Sequence, residues 1–223
     1  MLKKERIFDI SMMAITFILI ITTAIIFKQS FLRILPLFIS LFVMLLQSKV
    51  NTVGYLIGGL NSVLYAAVFT HYGIYASAAR ALLFSFPLQI ITFFRWKKRA
   101  YGSSTVLRQL SIKQRIIGVI GFAILWAAVS IVLNTVGGSY EMLDSGVALL
   151  GIISTVFSML AFCEYTYLKV ISNFISVVLY FSMLKETPEQ ATYFVYSLYA
   201  VVCCVREFVN AHKLYKKQRR EEI

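Results

Sequence analysis

The sequence predicts an all-α membrane protein of about eight transmembrane helices. Eight apolar stretches of roughly 15 to 21 residues fill nearly the whole chain. That is the length at which a helix rising 1.5 Å per residue crosses a hydrocarbon core of about 30 Å. Hydrophobic residues make up 59% of the 223 positions and charged residues 14%, with a mean hydropathy of +0.78, which is far from the composition of a soluble globular domain. The cationic residues gather in alternate gaps between the stretches.

In lipid every backbone N–H and C=O has to be satisfied within the segment, so stretches of this length are helices. They run over Ile10–Phe27, Ile34–Ser48, Thr52–Thr70, Ile74–Phe94, Ile116–Val136, Asp144–Phe162, Lys169–Leu184 and Ala191–Val209. Eight is the best count, with seven and nine the neighbouring options. The first stretch follows Lys3, Lys4 and Arg6 as a signal peptide would, but no small-x-small cleavage site comes after Phe27, so it reads as a retained helix. The second is short enough to stand with little tilt. Gly54, Gly58 and Gly59 suit the third to close helix contact. In the fourth, Pro87 removes a backbone donor and predicts a kink, a candidate hinge.

The net charge of +12 would suggest nucleic acid as partner of a soluble protein, but its placement has another cause. With the N-terminus inside, one side holds Lys3, Lys4, Arg6, Lys49, the run from Arg95 through Arg115, Lys169 and the tail Lys213 to Arg220. The other keeps Lys28, Arg33 and Lys185. The positive-inside rule then predicts a multi-pass protein of the plasma membrane with both termini cytoplasmic, a lipid bilayer as partner and no nucleic acid. Arg80, Arg206 and Glu207 lie near helix ends and are expected to reach water. Trp96 and Tyr101 are expected in the aromatic belt.

The chain folds back on itself around its fifth helix. Asn61-Ser62-Val63-Leu64-Tyr65 in the third helix has a counterpart in Ser176-Val177-Val178-Leu179-Tyr180 of the seventh, and Tyr75 and Tyr193 open the helices that follow. A single linker helix between two three-helix units makes the repeats parallel. The resulting organisation is an extra helix over residues 1–33, a first repeat over 34–98, a basic loop and linker helix over 99–140, a second repeat over 141–210 and a basic tail over 211–223.

Polar side chains at membrane depth normally face a bundle interior or a water-filled cavity. Asn61, Gln89 and Asn173 carry the donors and acceptors that an uncharged solute with amide or hydroxyl groups would need, although interhelical hydrogen bonding explains each about as well. Among the 13 Tyr, Tyr65, Tyr180, Tyr193, Tyr196 and Tyr199 are the candidates for packing on a flat ring, although core packing explains any single one better. Catalysis lacks its raw material, because no histidine or paired carboxylate shares a depth with the Ser and Thr residues. Cys163, Cys203 and Cys204 have no partners at metal-ligand spacing, and no phosphate-binding glycine loop is present, so neither an enzyme, a metal nor a cofactor is expected.

From Ile34 to Asn210 the helices resemble the PnuC family of bacterial nicotinamide riboside and vitamin transporters, which share parallel three-helix repeats with the SWEET sugar transporters. Asn61-x-x-Leu64 leads to Ile74-Tyr75-Ala76-Ser77 and on to Gln89-Ile90-Ile91-Thr92-Phe93-Phe94-Arg95-Trp96, where the family commonly writes Asn-Ile-Tyr-Gly-Trp-x-x-Trp. Asp144-Ser145 stands where the family has Trp-Asp-Ser. Glu164, Asn173 and Ser176 keep the spacing of its Glu-Asn-Trp-x-x-Trp-x-x-x-Asn segment. The departure is that Thr166 and Lys169 replace the Trp-x-x-Trp pair, removing two rings that would stack on a pyridine and adding a cation opposed to a pyridinium. Cys203 stands where the last helix tends to have Asn.

The resemblance implies facilitated uptake of a vitamin or nucleoside-like solute such as nicotinamide riboside by alternating access. It also suggests a bacterial inner-membrane location and a homo-oligomer of unspecified number. Asn61, Gln89 and Asn173 would hydrogen-bond the solute, Tyr65 and Tyr180 would pack on it, Thr166 and Lys169 would set the change in specificity, and Pro87 would flex. The alternative is a non-transporting binding or regulatory subunit, motivated by the lost tryptophans and the basic loop.

Overall fold

A computed structural model describes residues 2–71, 75–136 and 141–221. Each of the eight apolar stretches is a helix: α1 (Leu2–Ile26), α2 (Phe31–Ser48), α3 (Val53–His71), α4 with α5 (Tyr75–Arg80 and Phe86–Lys98), α6 (Ile112–Val136), α7 (Glu141–Met159), α8 (Tyr165–Met183) and α9 (Ala191–Glu221). Among the described residues, six helices are long and apolar enough to cross a membrane by themselves, and Ser145–Met159 of α7 is a shorter apolar one. The chain is an all-α membrane protein. Ile74, expected to start the fourth span, and residues 137–140, expected after the fifth, fall outside the described residues; for Tyr75 and Asp144 only the backbone is described.

The fourth span is broken where proline was expected to kink it, by a specific device. A π-helical turn, Ala81–Ser85, joins α4 to α5, and the Phe86 N–H donates to the Ala81 carbonyl. Pro87 follows in the first turn of α5, where its missing N–H is least costly. On α2, Ser30 accepts the Arg33 N–H as N-cap, and at the far end Val50 takes a left-handed φ of +53° so that its N–H and that of Asn51 cap the last carbonyls. Asn51 then accepts the Val53 N–H at 2.9 Å to start α3.

Several helix limits differ from the sequence expectation, three of them with consequences for the packing. The first helix begins at Leu2 rather than Ile10, and α9 continues to Glu221, well past Val209. That extension is held because Gln218 accepts the Leu107 N–H at 3.0 Å and donates to the Thr105 carbonyl at 2.9 Å. The basic loop there forms a small antiparallel hairpin, β1 (Ala100–Tyr101) with β2 (Ser104–Thr105), pairing Ala100 with Thr105 and Tyr101 with Ser104. Gly102 turns it at φ +59°. Third, α8 starts at Tyr165, which puts Lys169 inside the helix instead of at its edge.

Helices α2, α3 and α5 pack in succession, as do α7, α8 and α9, while α2 also meets α9 and α5 meets α7. A two-fold relation carrying the first group onto the second would exchange those two cross-contacts. The linker α6 packs on α7, and its apolar side chains face outward along most of its length. Between the groups, on the basic face, Trp96 is 1% exposed, so it is no belt residue. Its indole N–H donates to the Ser158 carbonyl at 2.7 Å, and its ring meets Tyr55 and Tyr165 edge-on. Tyr101, by contrast, stays at the surface, where it donates to Glu221.

The first helix is stapled to the bundle at both ends. Asp9, 4% exposed, receives Arg206 of α9 and Lys49 at the end of α2; Arg206 thus pairs with a carboxylate while its side chain stays partly exposed. At the opposite face Thr192 donates to Thr23 at 3.0 Å, and Gln29 donates to the Glu189 carbonyl at 2.6 Å. Substituting Asp9→Asn leaves two cations facing a neutral amide and should lower the stability of the purified protein by about 2 kcal/mol. The check is its thermal unfolding midpoint in detergent, where Asp9→Glu should lose less than Asp9→Asn.

Candidate functional site

Two chambers occupy the interior between the helix groups. The one nearer the basic face has a volume of about 210 Å³, and Asn61, Ser62, Gln89, Gln47 and Lys169 supply much of its polar wall. The other, about 260 Å³, lies toward the opposite face, between Tyr65, Arg80, Asn173, Tyr180 and Tyr193. Ser62, Tyr65 and Tyr196 line both, so these three side chains form the partition.

Glycines set the first chamber's width. A Cβ on Gly58 would stand 2.1 Å from the Gln89 Oε1, and one on Gly54 would stand 2.9 Å from the Gln47 Cγ. Gly54 lets α3 lie against the backbone of α2 at Gln47, and Gly58 leaves the Gln89 side chain of α5 room to turn into the same cavity. Gln89 donates to the Ser62 hydroxyl at 3.2 Å. Asn61 donates to the Pro36 carbonyl at 3.0 Å and to the Ser40 hydroxyl at 2.9 Å. Ser40 in turn meets the Tyr65 hydroxyl at 3.2 Å, forming a polar ladder from α2 across α3. The Asn61 Oδ1 is buried and has no protein partner, which leaves an acceptor for a donor from outside the chain.

At the basic end of the same chamber stands an ion pair. Lys169 on α8 reaches both carboxylate oxygens of Glu207 on α9, at 3.1 and 3.0 Å, and donates to the Gln47 Oε1 at 2.9 Å. The Tyr55 and Tyr165 rings lie 5.6 and 5.3 Å from its nitrogen. The Glu207 side chain is 1% exposed, so the expectation that it reaches water is wrong, and Lys169 is no loop cation. The site is locally neutral. Beneath it Ser158 donates to the Tyr55 hydroxyl at 2.6 Å, joining the aromatic seal around Trp96.

Of the residues singled out from sequence, the structure brings Asn61, Tyr65, Gln89 and Lys169 to the first chamber and Tyr65, Asn173 and Tyr180 to the second. Asn173 spends its amide on the Lys169 carbonyl at 2.8 Å and the Cys204 sulfur at 3.3 Å. Tyr180 stacks on Tyr193 with centroids 5.8 Å apart. Thr166 reaches neither chamber: it is fully buried and donates to the Cys163 carbonyl at 2.8 Å in the turn that starts α8. Cys203 faces Ile20, Leu41 and Tyr199, while its neighbour Cys204 faces Asn173. Arg80, expected at the headgroups, is exposed and also walls the second chamber.

Sequence reasoning missed Gln47 and Ser40 as wall residues and Glu207 as the counter-ion of Lys169, which lies 38 residues away on the next helix. Tyr196, one of the tyrosines expected to offer a ring, lines both chambers. Removing one partner of a buried pair strands the other charge. Lys169→Met should therefore destabilise the protein by about 3–5 kcal/mol. The double variant Lys169→Met with Glu207→Leu should recover most of that loss in thermal unfolding.

The model of the nicotinamide mononucleotide transporter family matches residues 30–209 of the chain. Among solved structures, the chain is similar to the crystal structure of the vitamin B3 transporter PnuC, with a TM-score of 0.76 at 18% identity over 96% of this chain and 92% of that one. At that identity the likeness shows the fold. No curated protein matches the sequence.

Proposed function

We propose, from the premise that the chain belongs to the nicotinamide mononucleotide transporter family and is a membrane transporter and not an enzyme, that it moves a small neutral or weakly charged vitamin or nucleoside-like solute of the nicotinamide riboside kind. The observation that carries this reading is the first chamber itself: amides and hydroxyls converge on it, and its one cation is cancelled by Glu207. Such a lining rewards hydroxyl and amide groups on a ligand and offers no net attraction to an anion. The pairing also removes the objection that Lys169 would repel a pyridinium ring. Tyr65 and Tyr55 supply aromatic faces in place of the absent tryptophans.

Asn61 and Gln89 would bind the solute in the first chamber, with Asn173 and Tyr180 receiving it in the second. Passage between the chambers requires the partition of Ser62, Tyr65 and Tyr196 to part, and the π-helical turn before Pro87 gives the fourth span a place to bend. Alternating access would then be a shift in population between states open to either face. The excess of cations on the terminus-bearing face supports an orientation with both termini in the cytoplasm, by the positive-inside rule. With that orientation in a bacterial inner membrane, the second chamber faces outward.

The test is uptake of labelled nicotinamide riboside, thiamine, riboflavin and simple nucleosides into liposomes containing the purified protein. Saturable flux of one compound, abolished by Gln89→Leu and by Asn61→Leu, is the expected result. Binding without flux would instead favour a regulatory subunit. Gly58→Ala forces Gln89 aside and should raise the KM for the transported solute by about tenfold, the loss of one or two polar contacts. Gly118→Ala, on the linker with nothing near its added methyl, should leave uptake unchanged.

A further inference from the structure

A second polar recess lies on the basic face, apart from both chambers. Arg95 from the last turn of α5, Arg99 just beyond it and Arg108 from the segment after the hairpin line a cleft of about 60 Å³ against Thr105 and the 159–162 turn between α7 and α8. No carboxylate lines it. Elsewhere on the chain, Arg33, Lys49, Arg115, Lys169 and Arg206 each hold an acid, yet among the described residues no ion pair takes Arg95, Arg99 or Arg108.

The three side chains spring from a fixed backbone. The Arg99 carbonyl accepts the Val106 N–H at 3.1 Å and the Thr105 hydroxyl at 3.0 Å. The Arg108 N–H donates to the Ala161 carbonyl, and its own carbonyl accepts the Cys163 N–H, both at 2.8 Å. Arg108 is thereby pinned to the second helix group, while Arg95 and Arg99 belong to the first. Burial, with the charges of Arg108 and Arg95 added to it, pushes the Arg99 guanidinium below its ordinary value. All three side chains are exposed at the rim, and with no carboxylate lining the cleft an oxyanion would be their counter-ion there. Guanidinium forks match phosphate oxygens two at a time.

We propose that this cleft binds a phosphate-type oxyanion, carried by an anionic phospholipid headgroup or by free phosphate. A bound anion bridges the end of α5 to the α7–α8 turn and so draws the two helix groups together at the basic face. The bridge acts at the seal around Trp96, whose ring lines the same cleft.

The experiment uses the full-length protein with two probes. Inorganic phosphate is titrated into protein in a neutral detergent and followed by calorimetry. In parallel, lipid retained from nanodiscs of phosphatidylcholine with or without phosphatidylglycerol is counted by native mass spectrometry. Arg99→Gln and Arg108→Gln are compared, singly and together, with Lys213→Gln/Lys216→Gln, which removes the same charge from exposed positions of the tail. The expected result is saturable binding of one probe, weakened at least about tenfold by the arginine changes and unaltered by the tail changes. Response to phosphate assigns the free anion, and selective retention of phosphatidylglycerol assigns the headgroup. No saturable binding of either probe overturns the proposal. So does an equal loss in the tail variant, which would mean diffuse attraction by the basic face. Unchanged thermal midpoints without probe establish that the variants are folded, and either single arginine variant suffices for the comparison.

Discussion

A lysine and a glutamate inside a membrane bundle can remain charged only if they meet, and the contact between Lys169 and Glu207 imposes much of the geometry around it. Lys169 sits one turn into α8 and Glu207 lies four turns along α9, so their contact fixes the relative height of those helices. The third partner, Gln47, stands at the end of α2 in the other helix group. One ammonium therefore ties α8 and α9 to α2. The Tyr55 and Tyr165 rings that flank it belong to the seal that closes the interior toward the basic face.

The second requirement is closeness. A solute chamber of this size, walled by side chains from both groups, exists because α3 presents glycines to α2 and α5, leaving Gln47 and Gln89 room to turn inward. Above the chamber the tyrosines change role. Tyr65 and Tyr196 divide the interior, and Tyr180 and Tyr193 stack face to face in the chamber beyond. The polarity that lines the first chamber is thus nearly all supplied by neutral groups, with its two formal charges confined to one end and cancelled, while Arg80 brings a cation to the wall of the second.

Hydropathy alone delimited the helices, because the bilayer demands about twenty apolar residues whatever the tertiary contacts. It failed where a charge was buried by a distant partner. Lys169 reads as a boundary because nothing near it in sequence neutralises it, and Trp96 reads as a belt residue because a tryptophan beside Lys97 and Lys98 is what an interface contains. The amides Asn61 and Gln89 were legible as wall residues, since an unpaired amide in lipid is costly. Thr166 was chosen by family position, but helix initiation claims its hydroxyl. The π-helical turn left only Pro87 as a trace, because the extra residue in a turn depends on how α3 and α7 pack on it. Gln47 and Ser40 look like ordinary helix residues until the glycines across from them are seen to open a space.

Asp9 raises a question of timing. It lies on α1, whereas Arg206, its partner on α9, is synthesised 197 residues later. During synthesis the first helix enters the bilayer carrying an acid whose chief counter-ion does not yet exist, with Lys49 its nearest interim companion. Until α9 arrives, α1 has little reason to settle against the bundle, because most of its contacts are with that helix. Assembly would then close a ring between α1 and α9. A nascent chain that stops short of Arg206 would leave the Asp9 carboxylate with Lys49 alone and α1 without the helix that holds it.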